Sequence, residues 1–427
     1  MMKNRIRTII TQDAEVDDQN SLRHILLYAN ELEIQGIVQT SSVFHWQGVP
    51  GAVTPQPEES GPSDFPMETA PYDRPYRWTG TAWMQRTIDD YAAVYPNLKR
   101  HCADYPEPEA LRKLIAVGNV GYPGEMLAST AGSELIRRRI LDDDPRPLYI
   151  QVWGGMNTIA RALMDIEREG AFSEERRSCL SRKHCSVTER QPCTFSEEMR
   201  SRLSRKVILT ACGEQDTTYR SYIAEQWPEI RVIKCLQMGS YSYAWGTMPE
   251  GESKNCLRAD FMKKITDGNG PLTDGYAVWL DGKYYEGEGP RDQFGANEHV
   301  LDEWWGAFAG LPAYQKGDFI SEGDSPTFLC LLDRTAEHGR EAAEERDREA
   351  ADGQAADFAK TGFAGRYVRD ESQKNSKGQP LNYWVPAEDD YTDADGQTVR
   401  TESMWGQVAA VQQEFAQRAG WCRGEEG

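Results

Sequence analysis

The stretch Ile6-Arg7-Thr8-Ile9-Ile10-Thr11-Gln12-Asp13-Ala14-Glu15-Val16-Asp17-Asp18 decides how this chain is read. Ile6, Thr8, Ile9 and Ile10 form the kind of β-branched run that fills a buried strand. Downstream, Leu22, Ile25, Leu26 and Ala29 recur at i, i+3, i+4 and i+7, the apolar face of a helix. Between the two, Asp13, Glu15, Asp17 and Asp18 crowd four carboxylates into one strand-to-helix turn. In an open α/β sheet such a turn lies at the carboxyl edge of the strands, where ligands bind.

Carboxylates this close repel one another, and some stay protonated unless a cation neutralises them. A hard dication with oxygen ligands, Ca²⁺ or Mg²⁺, answers that need. A helix N-terminus also favours negative charge, so a capped helix with solvated acids is the competing reading. The cluster alone does not decide between them.

Composition narrows the field. A chain of 427 residues can bury a large core. With 48 basic and 68 acidic residues, net −20, it is a poor partner for nucleic acid or an anionic membrane surface. No apolar run reaches the length of a membrane span. The N-terminus enters the first strand at once, with no secretory h-region. The expectation is a soluble, unexported protein, or a secreted or periplasmic one if a leader has been removed. Nine scattered cysteines, an odd number, are not the disulfide framework of a small secreted domain. Cys212 and Cys330 lie in apolar runs and read as reduced core residues. Cys179, His184, Cys185 and Cys193 are near in sequence, but their spacing fits no zinc pattern, and a surface insertion explains them better.

Strands are expected at 5–11, 32–40, 148–153, 206–211 and 230–236. Helices are expected at 19–30, 80–94, 131–141, 156–168 and 217–226. Strands interleaved with helices predict an α/β fold: a mostly parallel central sheet with helices on both faces. The stretch 276–290 reads as a β-hairpin. Residues 170–205 and 334–357, polar and rich in charge, read as surface insertions, and 401–421 as a helical segment that docks on the core. There is no internal repeat.

Three further places carry chemistry. Residues 38–48 (VQTSSVFHWQG) put hydroxyls, His45 and Trp46 after the second strand. Residues 152–160 (VWGGMNTIA) run a strand into Gly154-Gly155 and open a helix at Asn157-Thr158; two glycines let the backbone approach a ligand and turn a carbonyl toward a cation. In 320–332 (ISEGDSPTFLCLL), Asp324 precedes Ser325-Pro326 and an apolar helix, which is also good capping chemistry. Each lies where a strand or loop hands over to a helix. Asp13, Asp17, Asp18, Asn157 and Asp324 are therefore expected on one edge of one sheet, as a Ca²⁺ site.

At this point the chain resembles the nucleoside hydrolases. Asp13, three residues, Asp17-Asp18, an apolar helix and then Glu33-Ile34-Gln35-Gly36-Ile37-Val38 carry the likeness. More closely it resembles the nucleoside-hydrolase-like family known as cellulose-binding, which is related to the inosine/uridine-preferring nucleoside hydrolases. That closer likeness spans almost the whole chain and predicts one nucleoside-hydrolase-like domain over 1–427. It runs through SLRHILLYANELEIQGIV, YRWTGTAWMQ, YPNLKRH, STAGSELI, PLYIQVWGGMNTIARAL, GEQDTTYRSYIAEQWP, NGPL, ISEGDSPTFL and FAQRAGWC.

The resemblance implies a fold, a cofactor and a reaction. Asp13, Asp18 and Asp324, with the backbone carbonyl of Asn157, would hold Ca²⁺. Asp17 would hydrogen-bond a sugar hydroxyl, and Asp13 would take a proton from the metal-bound water. Because Ca²⁺ lowers the pKa of bound water only modestly, a carboxylate base is still wanted. An acidic pocket would stabilise an oxocarbenium-like transition state. The relatives are commonly oligomeric, so a homo-oligomer belongs to the same expectation.

Two departures bear on the substrate. Where the inosine/uridine enzymes often carry a histidine just before the late aspartate, this chain has Gly323. Their Asn-rich sugar-binding segment has no clear counterpart, the nearest stretch being 239–245 (GSYSYAW). His45, Trp46, Trp245 and Asn269 are the candidates for lining that side. The leading expectation is a calcium-dependent glycosidase for an N- or O-linked furanosyl bond. A non-catalytic carbohydrate-binding protein on the same fold is the alternative; twelve Trp and nineteen Tyr could stack on sugars. A phosphatase with an aspartate nucleophile wants a second Asp two residues after the first, where this chain has Glu15.

Overall fold

The computed structural model describes residues 5–55, 61–65, 70–181, 195–242, 244–278, 322–332 and 357–424. Eight strands among them form one sheet: β1 (Ile6–Gln12), β2 (Leu32–Gln39), β3 (Ile115–Val117), β4 (Leu148–Val152), β5 (Val207–Ala211), β6 (Arg231–Lys234), β7 (Tyr367–Arg369) and β8 (Tyr383–Pro386). Their order is β3-β2-β1-β4-β5-β6-β8-β7. All pairings are parallel except β7 with β8. The α/β fold with a mostly parallel sheet is therefore the one the sequence predicts.

Alternation along the strands sorts the core into two layers. Ile9 and Ile10 are adjacent, fully buried, and point to opposite faces. Ile10 belongs to one buried cluster with Leu22, Ile25 and Leu26 of helix α1 (Val16–Leu26), with residues of helix α2 (Ala82–His101) and with residues of the C-terminal helix Val408–Gly420. Ile9 packs with Ile136 and Ile140 of α4 (Ala131–Leu141) and with Ile159 and Leu163 of α5 (Asn157–Ser181). Helix α3 is the single turn Pro108–Arg112.

The predicted elements are recovered with shifted ends: α1 stops at Leu26, α2 runs on to His101, 219–223 is a π-helix, and the last expected helical segment starts as a strand and a 3-10 turn before Val408–Gly420. Helix α1 begins at Val16, three residues ahead of the expected start, so Asp17 and Asp18 sit inside its first turn. The Asp18 carboxylate explains this, accepting the Glu15 N–H at 2.8 Å and so fixing the backbone where the helix starts. Helix α5 continues to Ser181, into the stretch expected to be a surface excursion. Residues 182–194 of that excursion, 279–290 of the expected hairpin and 334–356 lie outside the described residues. No helix among the described residues is long and apolar enough to cross a membrane.

The strand order places the ligand crevice. It reverses between β1 and β4, and in such sheets ligands bind beyond the carboxyl ends of the strands at that reversal. Asp13 follows β1 there, and Gly154-Gly155 follow β4. The two loops are so close that a Cβ at Gly154 would lie 2.8 Å from Asp13 Cβ.

Candidate functional site

The site begins with a strained turn. Ala14 adopts φ +79°, a left-handed conformation that costs a residue with a Cβ roughly 1–2 kcal/mol. Asp18 compensates, one oxygen accepting the Asp13 N–H at 3.2 Å and the other the Glu15 N–H at 2.8 Å. The turn thus folds back on its own helix and directs Asp13, Asp17 and Asp18 to one side.

The fourth acid arrives from the far end of the sequence. Thr327 donates to the Asp324 carbonyl at 2.6 Å, and the Trp153 indole N–H, just past β4, donates to the Thr327 hydroxyl at 2.6 Å. Behind it Glu322 accepts from Ser325 and from Tyr276, both at 2.5 Å, and pairs with His24 of α1. Asp324 is therefore held against both β4 and α1. The helix after it is a single turn, Pro326–Leu329, with Ser325 rather than Asp324 at its N-cap position.

These acids are not solvated caps. Asp13 and Asp18 are 0 % exposed, Asp324 1 % and Asp17 6 %. Asp13 Oδ2 accepts from Ser42, but Asp13 Oδ1, Asp17 Oδ1 and both oxygens of Asp324 have no hydrogen-bond partner among the described residues. Asp17, Asp18 and Asp324 each offer an oxygen within 4.8 Å of the others. A neighbouring trio, Asp13, Glu15 and His45, meets the same limit.

Electrostatics follow from this burial. Burial, then the charge of Asp13, pushes the Asp17 carboxyl up to about 7. Burial raises Asp13 as well. Asp18 and Asp324 are driven well above the usual carboxylate range by burial first and by the other acids of the cluster second. Cys212 lies against the same cluster; its thiol donates to the Gly323 carbonyl at 3.3 Å and is itself pushed up by burial and by Asp324. Four buried carboxylate oxygens without partners are costly alone and favourable around a cation. The donor set, oxygen throughout, suits a hard dication such as Ca²⁺ or Mg²⁺.

The remaining candidates divide. His45 is fully buried beside the acids, its Nδ1 3.9 Å from Asp13 Oδ2 and 3.7 Å from Glu15 Oε1. Burial, with the charge of Arg77, holds it neutral, well below the usual histidine range. Asn157 opens α5 next to the site, but its side chain is engaged elsewhere: it accepts from Thr40 and donates to Ser41 and to the carbonyls of Asn119 and Glu125. Any part it takes in metal binding falls to its main chain.

The ring of Trp46 packs on Tyr76 and Tyr72, with centroids at 4.5 and 5.5 Å, and its N–H reaches the Pro71 carbonyl at 3.4 Å. Trp245 is core, with the Lys254 ammonium 5.6 Å from its ring. The Asn269 amide donates to the Ile265 and Thr266 carbonyls at 2.5 and 3.4 Å and accepts from Arg423, so it finishes the helix Ala259–Thr266 and touches no acid of the cluster.

The structure also adds residues. Ser42 orders Asp13, and its only sequence signal was the hydroxyl-rich run after the second strand. Arg77, at φ +45°, reaches Glu15 at 3.4 Å; it lies in the YRWTGTAWMQ stretch that carries the family likeness, but nothing in that stretch marks it as a partner of the acids. Gly323 sits in a tight place: a Cβ there would stand 3.0 Å from both Asp17 Oδ2 and the Ser242 hydroxyl, so those side chains would have to give way. A histidine at that position, as in the inosine/uridine enzymes, would press on Asp17.

No curated protein matches this chain. Among solved structures, a nucleoside hydrolase-related hypothetical protein from Saccharophagus degradans, associated with carbohydrate metabolism, aligns with a TM-score of 0.55 at 19% identity. The alignment covers 99% of this chain and 73% of that one, and at such identity it speaks for the fold alone. The sequence profile of a family described as cellulose-binding Sde182, nucleoside hydrolase-like domain matches residues 7–347. On that match over most of its length, the chain belongs to the Sde182 nucleoside hydrolase-like family.

Proposed function

We propose that this protein is a calcium-dependent glycoside hydrolase that cleaves an N- or O-linked furanosyl bond by direct attack of water. The observation that carries the reading is the set of four buried carboxylate oxygens, on Asp13, Asp17 and Asp324, that no donor among the described residues satisfies at the reversal point of the sheet. Family membership and a related protein associated with carbohydrate metabolism support a sugar substrate.

In this reading Asp13, Asp18 and Asp324, with the main-chain carbonyl of Asn157, hold the ion. When bound, Ca²⁺ supplies positive charge that orients sugar hydroxyls and the attacking water. Asp13 accepts the proton of that water, its second oxygen steadied by Ser42. Asp17 hydrogen-bonds a sugar hydroxyl through its unpartnered oxygen, and with Asp324 it stabilises positive charge building on the sugar ring. His45 lines the pocket beside Asp13. With Gly323 before Asp324, the departing group receives no acid from that position, which favours a leaving group that departs without one or is protonated by solvent.

The test is release of sugar from a panel of ribosides, arabinosides, nucleosides and short plant-wall oligosaccharides, with Ca²⁺ or with a chelator. Chelator-sensitive release, reduced at least about a hundredfold in Asp17→Asn, is expected. The family's cellulose-binding description favours a second reading, a non-catalytic binder. Retention on polysaccharide with no release from any substrate would replace the first reading with the second.

A further inference from the structure

We propose that Asp13, Glu15 and His45 form a second cation site next to the first, sharing Asp13 with it and taking a first-row transition-metal dication. The inference concerns binding and stands whether or not the protein turns over a furanoside.

His45 supplies the independent observation. Its ring is fully enclosed, yet neither nitrogen has a hydrogen-bond partner among the described residues. A ring N–H and a ring lone pair left buried and unmatched are each destabilising, and a metal ion removes that cost at the lone pair. Nδ1 points at the acids, 3.7 Å from Glu15 Oε1 and 3.9 Å from Asp13 Oδ2. Those separations are too long for hydrogen bonds. They lie a few tenths of an ångström beyond the spacing of two donors on one tetrahedral dication, about 3.4 Å for bonds of about 2.1 Å. One ligand atom from each of the three side chains falls within 4.8 Å of the others.

The surroundings leave room for the charge. Asp13 Oδ2, the oxygen facing His45, accepts from Ser42, and Asp13 Oδ1 has no hydrogen-bond partner among the described residues. Arg77 Nη1 stands 3.4 Å from Glu15 Oε1, and since a carboxylate has about four lone-pair positions, Glu15 can take a metal while keeping the partners it has. The donor sets distinguish the two sites. Asp13, Asp18 and Asp324 offer oxygen only to the first ion and suit a hard cation, whereas an imidazole nitrogen with two carboxylates selects a transition metal.

The experiment is a titration of metal-free protein with Co²⁺ alone, in buffer holding Ca²⁺ in excess to fill the all-oxygen site, followed by calorimetry and visible absorption. One further equivalent of Co²⁺ per chain is expected. His45→Gln should weaken that equivalent by more than the roughly 10- to 100-fold lost when only an outer partner of a metal ligand is removed, with Ca²⁺ stoichiometry unchanged. Should that variant fail to fold, the wild-type cobalt form decides: a hyperfine-shifted imidazole resonance supports the site and its absence overturns it. No cobalt uptake beside bound Ca²⁺, or equal cobalt affinity in folded His45→Gln, also overturns it. Neither result touches the furanoside assay, so the two readings fail separately.

Discussion

Asp17 sets the behaviour of the site at the scale of one residue. Its carboxyl moves from 3.8 to about 7 on folding, through burial and the charge of Asp13, and Asp13, Asp18 and Asp324 move the same way. The unfolded chain releases these protons near pH 4, whereas the metal-free fold keeps the Asp17 proton until about pH 7. Folding therefore takes up protons in that window, and metal-free stability must fall as pH rises through it. A drop of at least a few degrees in Tm between pH 5 and pH 8 is expected with chelator present. Ca²⁺ binds the ionised acids, so its stabilisation should grow over the same interval. A Ca²⁺-induced shift independent of pH would mean that the acids are not its ligands. Gly323 makes a second residue-level prediction. Gly323→His should lower Ca²⁺ affinity at least about tenfold in calorimetry, rather than restore a leaving-group acid, because its Cβ crowds Asp17 and Ser242.

At the scale of elements, α1 carries the site and α4 does not. Ile25→Ala in α1 removes a fully buried side chain facing the sheet and should cost about 2–5 kcal/mol in urea unfolding, with weakened Ca²⁺ binding. In α4 the Thr130 hydroxyl accepts the Ser133 N–H at 3.1 Å as N-cap. Thr130→Ala should cost about 1 kcal/mol and leave Ca²⁺ affinity as it was. The same contrast explains what could be read in advance. Strands β1, β2, β4, β5 and β6 are covered on both faces, so their apolar runs are continuous and legible. Strand β3 has three residues and β8 only four, with one fully buried, too little for any pattern to register. Asp13, Asp17 and Asp18 were legible because turn chemistry is local. Ser42, Arg77 and Cys212 reach the acids only through tertiary folding. Asn269 misleads for a related reason: an amide beside Gly270-Pro271 looks the same in sequence whether it faces a ligand or closes a helix.

At the scale of the whole molecule, the C-terminal helix Val408–Gly420 clamps α1. Phe415 stacks on His24 with centroids 3.8 Å apart. Arg418, buried, lies over the Tyr28 ring at 3.9 Å, pairs with Glu31, and donates to Asn30 Oδ1 at 3.0 Å and to the Leu27 carbonyl at 2.8 Å. Arg418→Ala removes this buried guanidinium from Tyr28, Glu31 and the Leu27 carbonyl, which Tyr105 also reaches at 2.6 Å, and should cost about 1.5–3 kcal/mol, lowering the urea midpoint with little change in slope. That clamp has a temporal side. Arg418 and Leu27 are 391 residues apart, which at ribosomal speed is about 20–80 s of synthesis. Through that interval the helix bearing Asp17 and Asp18 has emerged without the surface that seats it. The nascent chain must therefore wait, half-built and exposed to proteases and chaperones, before its acidic pocket can close around an ion.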